Sequence, residues 1–359
     1  MRLVLLGDGE SPHLLKWARA LAPRVELWAA SSRGFSAEFE ALLPAERRLA
    51  LNTDPDHGGG NIGLLKKLPQ LGAWLARVDA DWIHAHYLTS HGTLAWAAKW
   101  GWRLRARIAG SAWGSDILVT PERGWGWRWL TRRVLAACAV LTSDSQHMSA
   151  RMQALGAREV MTFPFGLEAL PKQGAKKLPW LFFANRGLEP LYRPERVLRA
   201  FAAVAAVQAE ARLIVANDGS LRAALQQQVH ELGLADRIEF VGRLDAKTQA
   251  GCYAKARWYV SLPQSDSVSV SVLEAMAHEC LTVLSDLPAN RELLQPGGGL
   301  ILAEGEEGAL PEQLQVLLSG ADAAGAANRA WVAAHGLFAP AVENFLNRLQ
   351  SLDRAHRSR

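Results

Sequence analysis

Short apolar runs alternate with helical patterns along this 359-residue chain, and one stretch interrupts the series. That alternation constrains the fold more than any other feature. A short apolar run, a helix and a second apolar run form a βα unit, and such units build parallel sheets. In the first half the strand candidates are 2–6, 25–29, 47–51, 82–84, 105–109, 139–142 and 160–163. The interruption, Phe163 to Pro179, holds three prolines, two glycines and three lysines, and reads as a linker. A second series follows at 180–184, 212–216, 238–241, 258–261, 281–284 and 300–302. The expectation is an α/β chain of two doubly wound, Rossmann-like domains. Residues 1–165 form the first domain, 166–179 the linker and 180–335 the second. Residues 336–359 form a C-terminal helix. In open α/β sheets the ligand sits at the carboxyl ends of the strands, so two facing sheets predict a site in the cleft between them.

Hydrophobic residues make up 49% of the chain and charged residues 21%, enough for a core in each half. No apolar stretch approaches the ~18 residues of a membrane span. The opening Met1-Arg2-Leu3-Val4-Leu5-Leu6-Gly7 reads as a first strand rather than a secretory signal. Cys138, Cys252 and Cys280 are scattered and odd in number. They predict neither a disulfide framework nor a metal cluster, and they fit a cytoplasmic location. The net charge of +5 suits a polyanionic partner, whether nucleotide, anionic lipid or nucleic acid.

The most informative motif is Ser265-Asp266-Ser267-Val268-Ser269-Val270-Ser271-Val272-Leu273-Glu274. Two acids flank an uncharged serine/valine segment, and a good helix-forming sequence follows. The pattern predicts a loop that turns helical near Ser271, with Asp266 in the loop and Glu274 in the first turns. Backbone N–H groups of Ser267, Val268, Ser269, Val270 and Ser271 would then face an anion. One carboxylate can hold sugar hydroxyls and the other ribose hydroxyls. The motif resembles the E-x7-E signature of retaining glycosyltransferases of family 4, with Asp266 at the first Glu. The resemblance implies a GT-B fold and transfer of a sugar from a UDP- or GDP-linked donor to a hydroxyl. It implies no cofactor beyond this nucleotide sugar and no metal. In related enzymes the last helix crosses back onto the first domain.

Asn185-Arg186-Gly187 follows the first strand of the second series. An arginine there can pair with phosphate oxygens. The resemblance gives Arg186 the departing diphosphate, with Arg193 standing where the family has a lysine. Asn217-Asp218-Gly219-Ser220 opens a helix where the family has a Gly-x-Gly turn, so Asn217 and Gly219 are donor candidates. Arg243 and Leu244 occupy the family's base-side positions; an ordinary strand end is the other reading.

On the acceptor side, Gly7-Asp8-Gly9-Glu10-Ser11-Pro12-His13 is a poor dinucleotide fingerprint because a third glycine is missing. It is better read as a loop facing the cleft, with Gly9, Ser11 and His13 as candidates. His84-Ala85-His86 resembles the family's His-x-His at a strand end. The pair could serve a metal, but no carboxylate or cysteine accompanies it at ligand spacing. Trp113 stands where relatives carry a histidine, so no general-base histidine is carried over. Asp116 either orients an acceptor hydroxyl or caps a helix.

Trp96, Trp100 and Trp102 precede Arg103, Arg105 and Arg107, and Trp125, Trp127 and Trp129 precede Arg132 and Arg133. Indoles beside cations suit a membrane interface, and core packing behind a solvated face explains them equally well. No nucleic-acid module accompanies them. The expected enzyme is a retaining glycosyltransferase of cell-envelope polysaccharide synthesis. Its acceptor would be a saccharide, a lipid-linked saccharide or lipopolysaccharide. It would be cytoplasmic, or peripheral on an anionic surface at the inner face of the membrane. The rivals are a silent nucleotide-sugar-binding protein, another GT-B sugar synthase and a Rossmann oxidoreductase.

Overall fold

A computed structural model describes residues 1–53, 62–172, 174 and 176–357. Gln173 and Ala175, inside the expected linker, lie outside the described residues. The chain forms two compact units, Met1–Phe163 with Ala339–Arg359, and Pro164–Phe338.

The first unit holds a seven-stranded parallel sheet: β1 (Arg2–Gly9), β2 (Glu26–Phe35), β3 (Arg48–Ala50), β4 (Trp82–His86), β5 (Arg107–Ser111), β6 (Cys138–Ser143) and β7 (Met161–Thr162). The order is β3-β2-β1-β4-β5-β6-β7. The second unit holds six parallel strands: β8 (Leu178–Ala184), β9 (Arg212–Ala216), β10 (Ile238–Gly242), β11 (Ala256–Ser261), β12 (Leu281–Ser285) and β13 (Gly299–Leu302). They run β10-β9-β8-β11-β12-β13. Each sheet therefore starts in its middle, builds outward and restarts on the other side of its first strand. That gives a switch point between β1 and β4 in one unit and between β8 and β11 in the other.

Central parallel strands are covered on both faces, which explains their unbroken apolar sequences. Leu3, Val4, Leu5 and Leu6 of β1 are all 0% exposed. Each contributes roughly 1.5–3 kcal/mol of burial. β2 outruns its expected end because polar residues continue it. Ser31 pairs with Gly7 and its hydroxyl accepts the Gly9 amide at 2.8 Å. Phe35 pairs with Gly9, where a Cβ would meet the Phe35 ring at 2.5 Å.

The expected linker is built into the second unit. Leu167 bridges Leu337, and Lys177 Nζ donates to the carbonyls of Tyr253 and Ala256. The C-terminal helix, Phe338–Arg357, buries Val342, Phe345, Leu346 and Leu349, one stripe at helical spacing. Phe345 meets the rings of Trp17 and His84 with centroids 5.2 and 4.7 Å apart. Asp353 accepts from Trp82 Nε1 at 3.0 Å and pairs with Arg107.

Candidate active site

In the second unit the residues after β8 and β11 meet at the switch point, the usual place for a ligand in such a sheet. Arg186, just past β8, donates through Nη2 to Asp266 Oδ2 at 2.7 Å and through Nη1 to Ser269 Oγ at 2.6 Å. Its guanidinium lies 4.4 Å from the centroid of the Tyr192 ring. Burial is the largest single influence and works against the charged guanidinium, but Asp266 together with Tyr259, Tyr192 and Tyr253 outweighs it, and the net shift is upward. For Asp266 burial is the larger influence and raises the carboxyl, with Arg186 and the Ser267 amide opposing it.

The helix behind this pair is Val270–Ala277, starting one residue before the expected Ser271. Ser269 is its N-cap residue, yet its side chain makes no capping bond to the helix. The hydroxyl is turned to Arg186 instead. The first-turn amides are thus left without a side-chain cap, beside a guanidinium, at the positive end of a helix. That arrangement attracts an anion. Val268, Val270 and Val272 pack into the core beneath, so only backbone from these valines is offered to a ligand.

Glu274 is held from below. Tyr253 Oη donates to Glu274 Oε2 at 3.0 Å, and Gln249 Nε2 donates at 3.3 Å. Asn185 Nδ2 donates to Tyr253 Oη, and Tyr259 Oη donates to Asn185 Oδ1, both at 2.8 Å. Burial pushes both phenols up, so they remain donors. This network of Asn185, Tyr253, Tyr259 and Gln249 escaped sequence reasoning. The one available signal was a phenol among apolar residues, which must find a polar partner when buried.

The loop carrying Arg186 is stapled to the loop after β9. Leu188 N donates to Asp218 O, and Leu221 N donates to Leu188 O, both at 3.0 Å. Glu189 accepts from the Ser220 amide and hydroxyl. A Cβ on Gly219 would sit 2.4 Å from Leu188 O, so this close approach requires glycine. Asn217 holds φ 83° and donates its amide to Gly242 O. Strained backbone of this kind concentrates at functional sites.

Two further expected donor residues have engaged side chains, and a third is open. Arg193 grips Glu304 with two bonds of 3.1 and 2.6 Å and has Glu195 at 3.6 Å, so its charge is already answered. Leu244 packs on the core cluster containing Tyr253. Arg243 is exposed at the end of β10.

In the first unit the acceptor-side candidates also gather at the switch point. Ser11 caps the Pro12–Leu21 helix by accepting the His13 amide. The His13 and Trp113 rings lie 4.7 Å apart, and Tyr87, held at φ 62°, stacks on Trp113 at 5.9 Å. Trp113 Nε1 donates to His86 Nδ1 at 3.1 Å. That bond fixes the proton of neutral His86 on Nε2. His86 is 2% exposed, so it supports the wall rather than touching an acceptor. Burial holds His84 near 3, His91 near 4 and His86 well below the usual histidine value. Among the described residues no group of three His, Cys, Asp or Glu could hold a metal ion.

Asp116 corrects an expectation. It is 2% exposed, and its two oxygens accept the amides of Leu88 at 2.8 Å and Trp113 at 3.0 Å. Sealed from solvent and engaged by backbone, it fixes two loops and is not presented to an acceptor hydroxyl.

Residues 168–330 match the family model described as glycosyl transferases group 1, and residues 2–145 match that of glycosyl transferase 4-like proteins. No curated protein matches the chain at a significant level. Among solved structures, HepE of Anabaena in complex with UDP-glucose aligns with TM-score 0.77 and 16% identity, over 98% of this chain and 100% of that one. Sucrose-phosphate synthase of Thermosynechococcus elongatus gives the same four values. The lipopolysaccharide outer core galactosyltransferase WaaB gives 0.68 and 15%, over 98% of this chain and 99% of that one. At these identities the likeness is one of fold, and the architecture is GT-B.

Proposed function

Because two glycosyl transferase family models between them match most of this chain, residues 2–145 and 168–330, we propose that it moves a sugar from a UDP- or GDP-linked donor to an acceptor hydroxyl with retention of configuration. The observation that carries this reading is Arg186, forked onto Asp266 and Ser269 at an uncapped helix start. A diphosphate arriving there competes with Asp266 for the guanidinium. Once Arg186 turns to the diphosphate, Asp266 is released to accept sugar hydroxyls, while Glu274 accepts the ribose hydroxyls. The acceptor oxygen then attacks the anomeric carbon as its bond to the diphosphate oxygen breaks. The acceptor proton leaves with that phosphate oxygen, and no protein base is used. Negative charge grows on the diphosphate, where Arg186 and the helix amides are preorganised to meet it. Those groups supply the positive charge that a metal would otherwise bring, so turnover should survive a chelator.

The acceptor is a saccharide, lipid-linked or lipopolysaccharide hydroxyl, and the enzyme works at an anionic membrane surface. The galactosyltransferase neighbour acts on lipopolysaccharide outer core, which supports that acceptor class. Among the described residues no helix is long and apolar enough to cross a membrane. The test is thermal shift against a panel of nucleotide sugars, then transfer with the donor selected. The product's anomeric configuration is read by NMR. An inverted product removes retention. Tight donor binding without transfer or hydrolysis favours a silent nucleotide-sugar-binding protein.

A further inference from the structure

The tryptophans of the first unit divide into two populations. Trp17 and Trp82 are 0% exposed, and Trp102 fills the space over Gly72, where a Cβ would meet its ring at 2.4 Å. Trp125, Trp100 and Trp129 are 87, 72 and 48% exposed. These three sit on two neighbouring helices, Thr93–Gly101 and Trp125–Ala137. Trp96 and Trp100 lie one turn apart on the first, and Trp125 and Trp129 one turn apart on the second. The Trp96 and Trp129 rings meet edge-on at 6.5 Å, which joins the two pairs into one row.

The charge beside this row has one sign. Arg132 and Arg133 are exposed, and Arg133 lies over the Trp129 ring at 5.4 Å. The nearby Glu122 is gripped by both Arg128 and Arg151, so its charge is neutralised. Arg107, which the sequence places with the basic cluster, is instead stacked on Trp82 and paired with Asp353. Three large indoles left in water are costly unless something covers them. Indole rings flanked by guanidinium groups match the boundary between acyl chains and anionic headgroups.

Resting on the membrane acceptor proposed above, we infer that the face formed by Trp100, Trp125, Trp129, Arg132 and Arg133 docks this enzyme on an anionic lipid bilayer. The cations meet headgroups and the indoles enter to headgroup depth. Single-stranded nucleic acid fits less well, because Arg133 already occupies a face of Trp129 that a base would need.

The experiment is co-sedimentation of the full chain with phosphatidylglycerol vesicles and with phosphatidylcholine vesicles, without donor or acceptor. Binding to the anionic vesicles at low salt, falling steeply as salt rises, is expected. Arg132→Glu/Arg133→Glu should weaken it at least about tenfold, given the contribution of each basic residue near such a surface. Trp100→Ala/Trp125→Ala should weaken binding while leaving the circular dichroism spectrum unchanged, since both rings lie outside the core. Failure of the wild type to bind anionic vesicles overturns the inference. So does wild-type binding by both double variants, or binding of a single-stranded oligonucleotide in place of vesicles. Transfer to a water-soluble saccharide acceptor should be unaffected by either variant. A docking failure with normal transfer therefore removes this inference alone, and absent transfer with intact docking removes the proposed activity alone.

Discussion

The phenol of Tyr253 donates to Glu274 Oε2 at 3.0 Å, and the amide of Asn185 donates to the same phenol at 2.8 Å. Glu274 is thus aimed by a helix and a strand end outside its own motif. A hydrogen bond to a charged group contributes about 1.5–3 kcal/mol. Tyr253→Phe should therefore weaken donor affinity about tenfold or more, with kcat at saturating donor little changed. Glu274→Gln should weaken it further. Isothermal titration with the nucleotide sugar checks both. Unchanged affinity in the phenylalanine variant would show that Glu274 needs no support.

Arg186→Ala removes the forked contact and leaves Asp266 buried without its counter-charge. Transfer at saturating donor should slow about tenfold or more, in line with the same charge-assisted magnitude. Arg186→Lys keeps the charge but cannot reach both Asp266 and Ser269 with a planar fork, so it should fall between. Steady-state turnover of the three proteins is the measurement, and near-normal kcat in the alanine variant would be the contrary result.

Asp116 is predicted to matter for stability rather than chemistry. Asp116→Ala leaves the buried amide of Leu88 and the partly buried amide of Trp113 without this acceptor. The cost should be about 1–3 kcal/mol, read by urea denaturation. A variant with wild-type stability and no turnover would return Asp116 to the reacting centre.

Acid should destabilise the first unit before it destabilises the second. His84, His86 and His91 stay neutral in the folded state, whereas an unfolded histidine titrates near 6.5. Their folded values are depressed, so the unfolded chain binds protons that the folded chain refuses. Stability is full above about pH 6.5 and falls as pH drops toward 4, by up to ~1.4 kcal/mol per pH unit for each histidine. His278, held near 4 chiefly by burial, adds a single such group to the second unit. Hydrogen exchange at pH 7 and pH 5 should show protection lost first around β4. Equal loss in both units would contradict this.

Much of this was legible in the chain. Each strand candidate has its strand, because buried parallel strands are apolar on both faces and announce themselves as runs. Arg186 and Asp266 stood out as candidates because charge in a loop between such runs has few structural excuses, and Glu274, inside the helix that follows, stood out by its spacing from Asp266. Tyr253 was not, since its helix, Ala246–Lys255, reads as an ordinary amphipathic one and the phenol's partners lie 68 and 21 residues away. The tryptophans were equally opaque. Trp82 and Trp125 both stand near arginines, yet one is 0% and the other 87% exposed. Which indole is covered depends on the distant helix Phe338–Arg357 and on the pairing of Trp96 with Trp129, neither of which local sequence reports. Asp116 was misplaced for a related reason: the amide of Leu88 that claims it comes from another strand end.

The first unit is interrupted by the whole of the second, and this bears on how the protein is born. A ribosome delivers Met1–Phe163 without Ala339–Arg359, so Trp17 and His84 emerge without Phe345, and Trp82 without Asp353. At about 5–20 residues per second, translating Pro164–Phe338 takes roughly ten to thirty-five seconds. For that interval the half that begins first waits with two indoles and a histidine lacking their partners, and the half that begins second is the first to be finished.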